Sequence, residues 1–300
     1  MQEMQCIRPM PMTVNGERIH VPCNHCNFCL QNRRNEWAYR LTYELKRSQS
    51  AKFLTITYNE EHVPKYKDLP VLDKSHLTLL FKTIKQKQKR LLVIQGKQQK
   101  LSQVKKNELY DKWKIKYYAV GEYGTQFERP HYHAIVYNLN PFILGKLNID
   151  ALWNKGNIHY GDANEKTISY TAKYLIDAQE EEWQKKFRPK PFAIMSKGLG
   201  ENYIEARKEW HTKDLKFYVN KQGDKVRMPR YYKDRIFNDE QKKEGGAQAL
   251  AQAEQVQNER IESLILENGG DELKALEQFQ AEIEQQHNRI KLKSLKANKL

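Results

Sequence analysis

The stretch ERPHYHAIVYN, residues 128–138, carries two histidines that are separated by one residue and followed by an apolar run. In a β-strand, residues two apart point to the same face, so His131 and His133 would project together and Tyr132 away from them. Two imidazoles in this arrangement can chelate one cation. A His-x-His pair also arises by chance in ordinary strands, so this stretch alone predicts a strand and leaves a metal site open.

The preceding segment offers a third ligand. Residues 114–124, KIKYYAVGEYG, also predict a strand, and a short polar connection containing Pro130 would make the two strands antiparallel neighbours. Glu122 would then bring a carboxylate to the same ion. Two histidines and one carboxylate leave coordination positions open for substrate oxygens. Glu128, in the connection, is an alternative ligand.

The order of elements around these strands predicts an α+β fold. After a long first helix, the predicted order is strand, helix, strand, strand, helix, strand, helix, over residues 27–47, 51–58, 74–89, 114–124, 131–138, 142–153, 157–161 and 165–179. Such an order is typical of a central antiparallel sheet flanked by helices. A charged insert between the second helix and the second strand has no pattern that assigns it to either class.

Composition divides the chain into four predicted parts. These are a Cys-rich metal-binding element with a basic helix, the sheet domain, a basic extension that packs on it, and a charged helical tail, over residues 1–49, 50–180, 181–237 and 238–300. The extension contains a predicted hairpin that turns at Gly223. In the tail, Gly269 and Gly270 separate two predicted helices, which form either a short coiled-coil arm or peripheral solvated helices.

The charge of the chain favours a polyanionic partner. Its 300 residues include 52 lysines and arginines against 37 acidic residues, which gives a formal net charge of +15. The 17 tyrosines suit single-stranded nucleic acid, since bases stack on aromatic rings. No secretory pattern and no run of 18 apolar residues is present, so neither secretion nor membrane insertion is expected.

The predicted helix over residues 165–179 carries a candidate nucleophile. Tyr170, Lys173 and Tyr174 are three and four residues apart, which places them on one helix face. A phenol is a weak nucleophile near neutral pH because its pKa is close to 10, but a metal ion and a nearby cation would assist it. Packing of the two aromatic rings in the core is the alternative.

The four cysteines form a candidate zinc site. Cys23, Cys26 and Cys29 follow a C-x2-C-x2-C pattern, and either Cys6 or His25 would complete a tetrahedral set. Without an export signal, this spacing favours a metal over disulfides. Unbound thiols and an iron–sulfur cluster are the alternatives. We predict a structural zinc bound by the four cysteines.

Several of these motifs together resemble one family, the HUH rolling-circle replication initiators. The stretch RPHYHAIVYN resembles their His-hydrophobic-His motif, with Tyr132 at the apolar position. FLTITYNEEH (53–62) resembles their first motif and YTAK (170–173) their Tyr-x-x-Lys motif. The segments VPCNHCNFCLQNRRNEWAYRL, GEYG, ISYTAKY and MPRYYKD resemble the initiators of small single-stranded DNA phages of the gokushovirus branch of microviruses. The resemblance covers residues 20 to about 236.

This resemblance implies a ferredoxin-like or RRM-like HUH nicking domain and a mechanism. Tyr170 or Tyr174 would attack single-stranded origin DNA, stay linked to the 5′ phosphate and free a 3′ hydroxyl that primes rolling-circle replication. The other tyrosine would rejoin the product. Mg²⁺ or Mn²⁺ would be held by the two histidines and Glu122, and Lys173 would neutralise developing charge or orient the attack.

The implied partners are single-stranded origin DNA and the DNA polymerase and helicase of the host, in the host cytoplasm and without a membrane. Arg33, Arg34 and Arg129 are predicted DNA contacts. The sequence leaves the oligomeric state open. Competing functions are a non-catalytic single-strand-binding protein of the same fold, a metal-dependent hydrolase that uses water, and a related single-strand transposase.

Overall fold

A computed structural model describes residues 6–14, 16–124, 127–173, 188–221 and 223–296. The chain forms two compact units. The sheet unit is Trp37–Asn202, and the tail unit combines Met1–Glu36 with Tyr203–Leu300. Each unit is described by itself.

The strands and helices are numbered in chain order. The strands are β1 (Met10–Val14), β2 (Glu17–Val21), β3 (Ala51–Tyr58), β4 (Lys65–Tyr66), β5 (Leu69–Pro70), β6 (Lys116–Tyr123), β7 (Pro130–Tyr137), β8 (Gly156–Asp162), β9 (Phe192–Met195), β10 (Tyr218–Lys221) and β11 (Asp224–Arg227). The helices are α1 (Asn27–Arg47), α2 (Lys74–Gln98), α3 (Gln103–Lys112), α4 (Leu144–Leu147), α5 (Ile149–Leu152), α6 (Glu165–Lys173), α7 (Asn202–Lys213), α8 (Arg230–Ile236), α9 (Asp239–Glu267) and α10 (Glu272–Lys296).

A five-stranded antiparallel sheet with the order β8-β3-β7-β6-β9 forms the centre of the sheet unit. The predicted α+β class, with helices flanking an antiparallel sheet, is confirmed. The four strands expected from the sequence are present, but the edge strand β9 was not predicted. It is only four residues long and follows a Lys- and Arg-rich segment, so it has too little alternation to indicate a strand.

The two faces of the sheet are covered by different helices, as the period-two alternation of its strands requires. In β3, Leu54, Ile56 and Tyr58 are buried on one face, where they share a core with residues of α2. Helix α2 begins at Asp73, whose side chain accepts hydrogen bonds from two backbone N–H groups of the first turn. The other face packs on residues of α1 and α6. The candidate site lies on this second face.

Some predicted boundaries in the sheet unit were wrong. Helix α2 extends to Gln98, and the charged insert that follows forms α3 instead of an irregular segment. The single helix predicted over 142–153 is a 3-10 turn, Pro141–Ile143, followed by two four-residue helices. Asn148 separates these helices because it adopts a left-handed conformation with φ of 44°. For the helix predicted over 165–179, residues 174–179 lie outside the described part.

The tail unit contains the cysteine-rich element and the C-terminal helices. The first 30 residues were expected to be irregular, but they include the hairpin β1–β2. The hairpin β10–β11 is confirmed, with Gly223 at φ of 91° in its turn. Helices α9 and α10 are separated at Gly269 and Gly270, as predicted. Of the helices that the structure describes, none has the length and apolar content required to cross a membrane.

Candidate active site and metal centres

Two histidines and one glutamate converge on the face of the sheet that packs on α1 and α6. Glu122 on β6 lies directly opposite His131 on β7 in the antiparallel register. Glu122 Oε1 is 2.6 Å from His131 Nε2 and 3.0 Å from His133 Nε2. Neighbouring ligands of an octahedral Mg²⁺ or Mn²⁺ lie ~3 Å apart, so the three residues fit one divalent ion.

Both imidazole rings are oriented through their other nitrogen. His133 Nδ1 is 3.1 Å from Thr55 Oγ1 on the neighbouring strand β3, and His131 Nδ1 is 3.1 Å from the carbonyl oxygen of Arg129. The ring of Phe53 also stacks on His133, with 5.4 Å between centroids. These contacts hold the two Nε2 atoms toward Glu122, as the outer contacts of metal-binding histidines do.

Burial and the Glu122 carboxylate act in opposite directions on the two histidines. Burial alone lowers the pKa of an imidazole because it penalises the charged form. At His131, the hydrogen bond and negative charge of Glu122 outweigh burial, and the pKa is raised. At His133, burial prevails and the pKa is lowered. The neutral imidazole that a metal ion requires is therefore favoured at His133.

Tyr170 reaches this group from helix α6. The side chain of Asn164 accepts hydrogen bonds from two backbone N–H groups of the first turn and so begins the helix. Ile168 and Ala172 then pack into the core beneath α6. Tyr170 Oη lies 3.5 Å from His133 Nε2. The predicted nucleophile and the predicted metal ligands therefore meet in one place.

The other two helix residues that the sequence singles out differ in what the structure describes. Lys173 ends α6 and is 2% exposed, so its ammonium group is inside the protein. Three residues separate it from Tyr170, which places both on one side of the helix. Tyr174 lies outside the described residues.

The residue between the two histidines points to the opposite face, as its position in a strand predicts. The Tyr132 side chain is fully buried, and its Oη is 2.7 Å from Tyr58 Oη and donates to the carbonyl of Asp73 at 2.8 Å. Burial raises the pKa of Tyr132 to about 12. Tyr58 Oη is in turn 2.9 Å from His76 Nδ1. The sequence gives no signal for this network, because its members come from separate elements.

The four cysteines converge in the tail unit. The Sγ atoms of Cys23 and Cys29 are 3.9 Å apart, as are those of Cys26 and Cys6, and all four lie within 4.8 Å of one another. A disulfide would require about 2 Å. Sulfurs around a tetrahedral zinc lie about 3.8 Å apart, so this set fits zinc. His25, the alternative fourth ligand, is exposed and is not part of the group.

The predicted DNA contacts are not members of the ligand set. Arg33 is exposed and Arg34 partly exposed on α1. Arg129 forms an ion pair with Glu60 and donates to the carbonyl of Tyr58 at 2.8 Å. Glu128, the alternative metal ligand, pairs with Arg188 at 2.9 Å and is not part of the histidine group.

Comparisons with known proteins point to phage replication. Residues 51–179 match the family model of the replication-associated protein ORF2. The chain is 26% identical over 261 residues to Replication-associated protein VP4 of Bdellovibrio phage phiMH2K, which covers 77% of this chain and 76% of the relative. It is 28% identical over 235 residues to Replication-associated protein ORF2 of Spiroplasma virus 4, which covers 72% of this chain and 67% of the relative.

A third relative, Replication-associated protein ORF4 of Chlamydia phage 1, is 26% identical over 235 residues, which are 71% of this chain and 53% of the relative. No solved structure matches the chain. The resemblance to replication proteins of small single-stranded DNA phages, predicted from the motifs, is confirmed.

Proposed function

We infer that this chain, which belongs to the family of replication-associated proteins of small single-stranded DNA phages, starts replication by nicking origin DNA with a tyrosine. One observation carries the proposal. Tyr170 Oη lies 3.5 Å from His133 Nε2, which belongs to a group of three converging metal ligands. A hydroxyl beside an open-sided metal site is the arrangement that phosphoryl transfer to a side chain needs.

In the proposed reaction, Tyr170 Oη loses its proton to solvent and attacks the phosphorus of a single-stranded phosphodiester. The bond between phosphorus and the tyrosine oxygen forms as the bond from phosphorus to the 3′ oxygen breaks. The 3′ oxygen leaves and takes up a proton, which produces the primer hydroxyl. One phosphoester replaces another, so the reaction needs no nucleotide energy source.

Glu122, His131 and His133 are the residues that would hold a divalent cation, Mg²⁺ or Mn²⁺. When bound, such an ion supplies Lewis-acid polarisation of the scissile phosphate. The protein contributes the orientation of the site. Thr55 and the carbonyl of Arg129 fix the histidine rings, and packing of α6 on the sheet fixes Tyr170.

The remaining roles extend this proposal. Tyr174 is the second nucleophile, which rejoins the product after one round, and Lys173 stabilises the negative charge that develops on the phosphate. The four cysteines hold a structural zinc in the tail unit. Single-stranded origin DNA is the substrate, and the polymerase and helicase of the host cell act with the protein in its cytoplasm.

Incubation with labelled single-stranded origin DNA and Mn²⁺, followed by a denaturing protein gel, tests the nicking reaction. The wild type is expected to form a covalent adduct. Tyr170→Phe is expected to reduce the rate of adduct formation by at least ~10³-fold while DNA binding persists. Tyr174→Phe and the double variant show how the two tyrosines divide the work.

Tyr160→Phe is the matched control, because this tyrosine is on β8 of the same sheet and its hydroxyl bonds only to the exposed Asp150 among the contacts described. It should form adduct at the wild-type rate. Cleaved DNA without linked protein would favour a hydrolase that uses water. Binding without cleavage by the wild type would favour a non-catalytic single-strand-binding protein.

A further inference from the structure

A basic and aromatic segment, residues 203–237, lies in the tail unit and is used by none of the proposed catalytic steps. It comprises most of α7, the hairpin β10–β11 and α8. The segment has ten lysines and arginines against five acidic residues. Positive charge of this density suits a polyanionic partner.

The segment has a firm framework. The buried His211 ring lies 2.7 Å from Tyr203 Oη through Nε2 and 2.7 Å from the carbonyl of Lys216 through Nδ1, so both ring nitrogens are used. Phe217 and Phe237 stack with 4.3 Å between their centroids. The hairpin and the two helices are thereby fixed to one another.

Several cations of the segment lie over aromatic rings. The pairs, with the distance from the cation to the ring centroid, are Lys216 over Trp210 at 4.7 Å, Lys225 over Tyr218 at 4.8 Å, Lys233 over Phe217 at 4.9 Å and Arg235 over Tyr231 at 3.7 Å. Such contacts hold long side chains in place. A partner that binds them therefore loses less free energy to side-chain ordering.

Four cations converge where the hairpin, α8 and the start of α9 meet, and we call Arg227, Arg230, Lys233 and Lys242 the basic cluster. The pKa of Lys233 is lowered, first by burial and then by the positive charges of Arg227, Lys242 and Arg230. Two carboxylates offset part of this charge. Asp234 lies 3.4 Å from Arg230, and a second aspartate at the start of α9 lies 2.7 Å from Lys242. The cluster keeps a positive excess.

We propose that the basic cluster binds the sugar–phosphate backbone of DNA as a second contact, formed by residues other than those of the nicking site. This rests on the proposed function, in which the partner is origin DNA. Guanidinium groups favour phosphate because their N–H donors match its oxygens in pairs. An anionic membrane would need an apolar anchor, and no large apolar side chain among the described residues of this segment is exposed.

The full-length double variant Arg227→Gln/Arg230→Gln tests the proposal, because both side chains are exposed and their loss leaves the core intact. Binding to single-stranded DNA of origin and of unrelated sequence is measured by fluorescence anisotropy between 50 and 200 mM salt. Each lost phosphate contact lowers the slope of log affinity against log salt by about 0.7, so the expected decrease is about 1.4. Both sequences should lose affinity equally.

The control Lys97→Gln/Lys105→Gln removes two exposed charges from α2 and α3 and should leave the salt slope unchanged. Lys242→Gln is an independent test on α9 and should lower the slope by about 0.7. A wild-type slope in both cluster variants would overturn the proposal. Adduct formation at saturating DNA should stay at the wild-type rate in these variants, so a failure of the nicking chemistry is seen separately through Tyr170→Phe.

Discussion

Glu122 and His131 are cross-strand partners, and Glu122 Oε1 lies 2.6 Å from His131 Nε2. Strand register alone brings the carboxylate to the first histidine, and the period of two brings His133 to the same face. The three ligands therefore sit on neighbouring strands of the sheet and not on loops. A site built on strands keeps its geometry while a nucleic-acid strand enters and leaves.

Replacement of one of these ligands should weaken divalent-metal binding. His133→Gln removes the imidazole Nε2 that lies 3.0 Å from Glu122 Oε1, and we expect Mn²⁺ affinity to fall by at least ~100-fold. Calorimetric titration of the protein with Mn²⁺ in the absence of DNA measures this directly. The readout does not depend on nicking activity.

His159→Gln is the matched control for the ligand variant. His159 lies on β8 opposite Thr55, so it shares the face of the sheet with His133 but is exposed and is not part of the ligand group. It should bind Mn²⁺ as the wild type does. Equal losses in the two variants would show that this group is not the Mn²⁺ site.

Thr55→Val should reduce metal affinity without removing a ligand. Thr55 Oγ1 lies 3.1 Å from His133 Nδ1, and loss of this contact releases the ring from its orientation. A decrease of about 10–100-fold in Mn²⁺ affinity is expected, in keeping with other outer contacts of metal-binding histidines. Thr57→Val, on the same strand, removes a hydroxyl that donates to the carbonyl of Asn157 and should leave the affinity unchanged.

The sequence identified much of the candidate site because its members obey short-range rules. The strand period places His131 and His133 together, and a short connection places Glu122 opposite. What escaped was decided by contacts between distant segments. Strand β9 is defined by pairing with β6, and the buried Tyr132 is fixed by Tyr58. Neither relationship leaves a periodic pattern in the chain.

Cys26→Ser should abolish stoichiometric zinc. The Cys26 Sγ lies 3.9 Å from that of Cys6, and loss of one thiolate leaves an incomplete tetrahedral set. Metal analysis of the purified protein should give one zinc per chain in the wild type and almost none in the variant. Thermal unfolding should begin at a lower temperature, since zinc binding contributes to folding of such elements.

His25→Ala is the control, because this histidine is exposed beside the cysteines but is not part of their group. It should retain one zinc per chain. Loss of zinc in this variant would favour His25 as the fourth ligand in place of Cys6. Iron in place of zinc in the wild type would favour the iron–sulfur alternative.

Gly245→Ala should destabilise the packing of α9 on the basic and aromatic segment of the tail unit. A Cβ atom at Gly245 would lie 1.8 Å from the ring of Phe217, which is itself held by stacking on Phe237. The ring has no free direction in which to move, so we expect a loss of about 1–3 kcal/mol in the free energy of unfolding. Gly246→Ala adds the same methyl group where no other atom lies within 4 Å, and it should instead stabilise the helix by about 0.5–1 kcal/mol. Urea unfolding curves of the two variants measure the difference. A pair of variants with equal midpoints would show that α9 does not pack on Phe217 at this glycine.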